Sequence, residues 1–137
     1  MTSFRSPRIL DASAMVELFA GNPQVMRMLN DAEAGVALVA LPATAVLEAQ
    51  AALRAAPSMW HHFFRFPGLT VLDLTGHGAL DAGVIAAARL EHHPMQPTLT
   101  GPQMVGQVVT EARALNAAIV TRIPELYGGH DVPVVVV

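Results

Sequence analysis

Cysteine is absent from the 137 residues, and disulfides, thiolate zinc sites and cysteine nucleophiles go with it. Lysine is absent too, since all 8 basic side chains are arginine. No P-loop, no Schiff base and no lysine-dependent phospho-acceptor site can be built from such a chain. Charge is scarce: 14% of residues carry it, against roughly 25% in an average soluble domain. The balance of 11 acids against 8 bases leaves a net charge of −3, which argues against a broad electrostatic grip on nucleic acid. A few placed arginines can still hold phosphates bidentately. Long apolar runs are missing as well. The stretches Val36 to Leu41 and Val132 to Val137 fall far short of the ~20 residues a spanning helix needs. Met1 to Arg8 has two arginines but no apolar segment behind them, so a cytoplasmic address is the expectation.

What is abundant is apolar side chain, at 53% of the sequence. That excludes a disordered chain and predicts one compact domain over residues 1–137 with a well-filled core and an apolar partner surface. Glycine and proline punctuate a single alternating pattern. Arg8-Ile9-Leu10 is a short apolar run ending in Asp11. Ser13 to Ala20 reads as a helix stopped by Gly21, and Asn22-Pro23 opens a second helix whose Val25, Met26, Leu29 and Ala32 form an amphipathic stripe. Val36 to Leu41 has strand length. Ala45 to Leu53 is alanine-rich and helical, and Ser58 to Phe66 is an aromatic-rich turn or short helix. Leu69 to Leu74 is a strand, and Gly78 to Leu90 a helix with apolar residues at 80, 84, 87 and 90. Thr100 to Gln103 fits a capping box opening a helix to about Leu115. Ala117 to Val120 and Val132 to Val137 are the last strands. Strand and helix alternating in this way, with strands apolar throughout their length, predict an α/β domain with a parallel sheet covered on both faces.

In open parallel sheets ligands sit beyond the carboxyl ends of the strands, and Asp11 falls there. It is open to two readings, a cap for the helix that follows, with Ser13 sharing the work, or a ligand. Glu48 interrupts a helix otherwise built of Ala, Val and Leu. It either faces solvent, pairing with Arg54 or a neighbour, or it is a carboxylate held against an apolar face, where it needs a partner or a metal. Taken together, a strand-end Asp and a helix Glu supply the hard oxygen ligands that suit Mg²⁺ or Mn²⁺.

Three segments in order, Ile9-Leu10-Asp11-Ala12-Ser13-Ala14, Leu41-Pro42-Ala43-Thr44-Ala45-Val46-Leu47-Glu48-Ala49 and Ala117-Ala118-Ile119-Val120-Thr121-Arg122, resemble a PIN domain. More narrowly, they resemble the VapC-type toxin ribonucleases of toxin–antitoxin pairs, over nearly the whole chain. The resemblance implies a three-layer fold with a central parallel sheet flanked by helices. It also implies an acidic pocket holding Mg²⁺ or Mn²⁺, cleavage of RNA by metal-activated water, homodimers, and a small antitoxin as partner. Residue by residue it carries a catalytic and metal-binding role to Asp11 and Glu48, and a role in orienting water or phosphate to Ser13 and Thr121.

The chain departs from that pattern at two places. The family's third acid falls near Val105, and no acid stands anywhere from 100 to 105; the fourth falls on Ile123. Glu111 and Glu125 are displaced from these places, and the His92-His93 pair precedes them in a loop, so these are the groups available to rebuild a site. Mg²⁺ can be held by one or two carboxylates when waters and phosphate complete its shell, but losing two ligands weakens affinity and misplaces the water. Two functions follow: an endoribonuclease of reduced activity, or a PIN-like module without catalysis that binds RNA or a protein. High apolar content and low charge predict a homodimer in either case.

Overall fold

The computed structural model describes residues 6–92, 95 and 97–137. Five strands form one parallel sheet in the order β3-β2-β1-β4-β5, with β1 at Arg8–Leu10, β2 at Val39–Pro42, β3 at Leu69–Leu72, β4 at Ala118–Thr121 and β5 at Val134–Val136. Six helices accompany it: α1 Ala12–Phe19, α2 Pro23–Glu33, α3 Ala43–Leu53, α4 Pro57–Phe64, α5 Gly76–His92 and α6 Pro102–Leu115. A 3₁₀ turn at Pro124–Tyr127 follows β4. This is the expected α/β architecture, a central parallel sheet flanked by helices in a PIN-like three-layer arrangement.

The three inner strands are fixed by register. Arg8 stands opposite Val39 and Ala118, Ile9 opposite Ala40 and Ile119, and Leu10 opposite Val120. β2 and β4 are buried at every position, as a strand covered on both faces must be. Ile9, Leu10, Leu41, Ile119 and Val120 meet Met15, Leu29, Met104 and Val108 from the flanking helices in one continuous core. β1 therefore delivers Asp11, and β4 delivers Thr121, to the same carboxyl edge.

Two elements differ from the sequence expectation. Helix α6 begins one residue after the expected cap. Gly101 is the N-cap and makes no side-chain capping bond, while the Thr100 hydroxyl donates to the Pro97 carbonyl at 2.6 Å. The capping box therefore does not form. Helix α5 turns a different face inward. Ala82 and Ala86 are buried, whereas Leu80 and Val84 are 71% and 75% exposed and Leu90 is exposed as well. The cause is the closeness of α5 to α6: a methyl group added at Gly106 would stand 2.3 Å from the Ala82 carbonyl oxygen. Helices that approach this closely take small residues at the contact, and the larger apolar residues are left outside.

The aromatic helix α4 packs onto α1. Phe19 meets Trp60 with ring centroids 4.6 Å apart and Phe63 at 5.1 Å, and the buried Trp60 donates its indole N–H to Gln50 Oε1 at 2.6 Å. No helix among the described residues is long and apolar enough to cross a membrane.

Candidate functional site

At the carboxyl edge of β1 and β4 the chain gathers Asp11, Ser13, Thr121 and Tyr127 into one hydrogen-bonded cluster. Asp11 is the N-cap of α1, and its Oδ1 accepts the Ala14 backbone N–H at 3.0 Å. The same oxygen accepts the Ser13 hydroxyl at 2.7 Å. Ser13 Oγ lies 3.2 Å from Thr121 Oγ1 and accepts the Arg122 backbone N–H at 2.9 Å. Thr121 Oγ1 in turn accepts from the Ile123 backbone N–H at 2.9 Å. These bonds tie the start of α1 to the chain leaving β4, two points 108 residues apart in sequence.

The other carboxylate oxygen, Asp11 Oδ2, accepts the phenol of Tyr127 at 2.7 Å. Tyr127 is the single tyrosine of the sequence, it is buried, and the 3₁₀ turn after β4 brings it over the Asp11 side chain. Asp11 itself is 0% exposed. Burial pushes its carboxyl above the ordinary aspartate range, opposed by hydrogen bonds from Thr121, the Ala14 N–H, Tyr127 and Ser13. Burial also pushes the Tyr127 phenol well above its ordinary value, and the charges of Asp11 and Glu48 push it further.

Glu48 projects from α3 toward the same place. Its Oε1 accepts the Gly101 backbone N–H at 3.0 Å, so a carboxylate from one helix terminates the amino end of another, where α6's dipole favours negative charge. Burial raises its pKa first, the Gly101 bond opposes that, and the Asp11 charge raises it further. A methyl group at Gly101 would stand 2.2 Å from Glu48 Oε2, so only glycine there lets the carboxylate seat so near the α6 backbone. Gln107 is another buried polar side chain nearby. Gln107 Oε1 accepts the Thr44 backbone N–H at 2.9 Å at the start of α3, and its Nε2 donates to the Leu72 carbonyl at 3.0 Å.

Asp11, Ser13 and Thr121 are thus brought together in one cluster, while Glu48 sits at the start of α6 on the Gly101 N–H. The candidate acids for rebuilding the site do not join that cluster. Glu111 is half-buried, and burial alone raises its carboxyl. Glu125 is exposed and lines a cavity beside Arg89 on the far side of the 3₁₀ turn. His93 and the side chain of His92 lie outside the described residues. Sequence reasoning missed Tyr127 and Gln107. The available signal for the first was a lone tyrosine six residues beyond Thr121; for the second it was an amide on the otherwise apolar face of α6.

A divalent ion asks for about six oxygen ligands in near-octahedral array, carboxylates among them with lone pairs to give. Asp11 has its Oδ1 committed to two protein donors and its Oδ2 to the Tyr127 hydroxyl. The places where the resemblance puts two more acids hold Val105, at the centre of the core, and Ile123. Among the described residues no group of three or more His, Cys, Asp or Glu converges on a point. The protein donors on both Asp11 oxygens compete with any cation for their lone pairs. The chemistry of the site is that of helix ends closed by buried acceptors.

No protein-family model matches this sequence, and no curated protein matches it. Solved structures do. The chain is similar to a chain in DNA-bound VapBC from Salmonella typhimurium, at 11% identity and a TM-score of 0.67, covering 96% of this chain and 98% of that one. It is similar to a chain in VapBC2 from Rickettsia felis bound to a promoter DNA fragment, at 14% identity and a TM-score of 0.62, over 93% and 96% of the two chains. A toxin–antitoxin complex from Klebsiella pneumoniae gives 13% identity and a TM-score of 0.59, over 93% and 95%. At such identities the likeness is one of fold alone.

Proposed function

We propose that this chain is a PIN-like module of the toxin–antitoxin lineage that works by association with protein and does not cleave RNA. The observation that carries the reading is the Tyr127 hydroxyl on Asp11 Oδ2, because it competes for the carboxylate oxygen that a metal would need. The neighbouring folds occur in VapBC and toxin–antitoxin complexes, which supports a small antitoxin-type protein as partner. The exposed Leu47 of α3 and Leu80, Val84 and Leu90 of α5 supply apolar surface of the kind that associating chains bury, and they support a homodimer as well.

The second reading is a feeble Mg²⁺- or Mn²⁺-dependent endoribonuclease with Asp11 and Glu48 as metal ligands and Ser13 and Thr121 toward water or phosphate. It is favoured by one observation, the joining of Asp11, Ser13 and Thr121 at the carboxyl edge of β1 and β4. Incubation of the purified chain with structured and single-stranded RNA across a Mn²⁺ series separates the two. The association reading expects no cleavage that differs between the wild type and the Asp11→Asn and Glu48→Gln variants. Cleavage abolished by either substitution establishes the nuclease instead. Sedimentation at micromolar concentration tests the dimer, and a monomer there contradicts it.

A further inference from the structure

Behind the 3₁₀ turn, away from the Asp11 cluster, lies a cavity of about 310 Å³ between α5 and the chain from Glu125 to His130. Its wall is apolar on one side, with Ile85, Ala88 and Leu126, and polar on the other, with Arg89, His130 and Glu125. Among the described residues, the buried Arg89 Nε has no hydrogen-bond partner, and Nη1 makes a long bond to the Leu126 carbonyl at 3.4 Å. A buried donor on a charged group left unmade is costly, so this one marks a place where an acceptor is missing.

Two more donors gather beside it. Arg113 Nη2 lies 3.5 Å from His130 Nδ1. A guanidinium has only donors, so Nδ1 accepts and the ring proton sits on Nε2, which leaves His130 with a free N–H to give. Both Arg89 and Arg113 reach His130 with their charge, and with burial they hold its pKa below the ordinary histidine range. Two arginines thus converge on His130, and a dianion beside them would find complementary charge.

We propose that this cavity binds a small sugar phosphate, the class to which nucleoside monophosphates belong. The phosphate takes the outer nitrogens of the Arg89 guanidinium and the His130 N–H, and a phosphate monoester brings a charge of about −1.5 to −2 at neutral pH against the two arginines. A bare ion leaves most of the space unused, whereas about 310 Å³ is the lower end of the range for small-ligand sites, roughly 300–1,000 Å³. The apolar wall takes the flat or aliphatic body of the ligand. Glu125 accepts only, so it repels phosphate and receives hydroxyl donors, which a sugar provides. This inference is independent of whether the Asp11 cluster cleaves RNA.

Isothermal titration of the full chain with AMP, inorganic phosphate and adenosine tests it. The expected result is saturable 1:1 binding of AMP, weaker binding of inorganic phosphate and none of adenosine. Arg89→Gln should weaken AMP at least ~tenfold, and His130→Gln should weaken it by a smaller factor. Should Arg89→Gln fail to fold, His130→Gln carries the comparison. No binding of AMP by the wild type, or binding that both variants leave unchanged, overturns the proposal. Phosphate binding as tightly as AMP reduces the site to an anion hole and overturns the ligand class.

Discussion

Replacing Tyr127 by phenylalanine removes one hydroxyl and leaves the ring in place. The lost bond is a 2.7 Å donation to a buried carboxylate oxygen, and hydrogen bonds to charged groups contribute roughly 1.5–3 kcal/mol. The loss of the Met104 sulfur contact at 4.0 Å adds little, so Tyr127→Phe should cost about 2 kcal/mol at pH 7.5. For a domain of this size that corresponds to a fall in Tm of about 8 °C. The cost should depend on pH. Asp11 titrates above its unfolded value, so the folded state holds that proton more tightly than the unfolded chain. The associated stability is complete below the ordinary aspartate range and is lost as pH rises through the folded pKa. The Tyr127 hydroxyl favours the ionised carboxyl, and its removal lifts the folded pKa further. The penalty is therefore full above that pKa and shrinks as acidification protonates Asp11. Urea unfolding of both proteins at pH 7.5 and 4.5 reads the difference directly. A cost under about 0.5 kcal/mol at pH 7.5, or one that is the same at both pH values, refutes the reasoning.

Three further outcomes follow from the same geometry. Asp11→Asn keeps an oxygen for Ser13 and the Ala14 N–H, since Asn caps helices as well as Asp does, and it removes a buried charge. Its unfolding free energy at pH 7.5 should fall within about 1 kcal/mol of wild type, and the acid-side gain that Asp11 gives the wild type should vanish; a loss above about 3 kcal/mol would mean the charge itself is needed. Ser13→Ala strips partners from Asp11, Thr121 and the Arg122 N–H together and should destabilise by about 2 kcal/mol in the same assay, with no loss contradicting the cluster. Gly106→Ala gains about 1 kcal/mol of helix propensity but drives a methyl group into the Ala82 carbonyl, where overpacking costs up to about 3 kcal/mol. The net should be a lower denaturation midpoint, and a stabilised variant would contradict the α5–α6 approach.

Much of this architecture is legible in the sequence because its signals are local and strong. The apolar run at Val36–Leu41 leads into β2, a strand buried on both faces, whereas the run at Val132–Val137 contains β5, an edge strand that is half-buried to exposed. Asn22-Pro23 places a helix start that the structure reproduces, with Asn22 accepting from Gln24 and Val25. The helix boundary at Thr100 is misread because Thr100 spends its hydroxyl on Pro97, while Glu48, 53 residues away, takes the Gly101 N–H. No local pattern reports such a partner. The face of α5 is misread for a related reason. Apolar periodicity identifies the large residues, but the contact with α6 is so close that it selects Ala82 and Ala86, and the stripe of Leu80 and Val84 is left facing out. The site divides in the same way. Asp11, Ser13 and Thr121 sit at strand ends that alternation locates, whereas Tyr127 enters on an irregular turn whose path the sequence does not announce.

Asp11 and Glu48 both serve as acceptors at helix ends, and the proposed function requires that neither binds a cation. Titration of the full chain with Mn²⁺, followed by calorimetry or by the free-ion electron paramagnetic resonance signal, addresses this without reference to any substrate. The predicted result is no saturable binding up to millimolar Mn²⁺, on the order of the weakest sites that proteins use for such hard cations. A single stoichiometric site in the wild type, lost in both Asp11→Asn and Glu48→Gln, would contradict it.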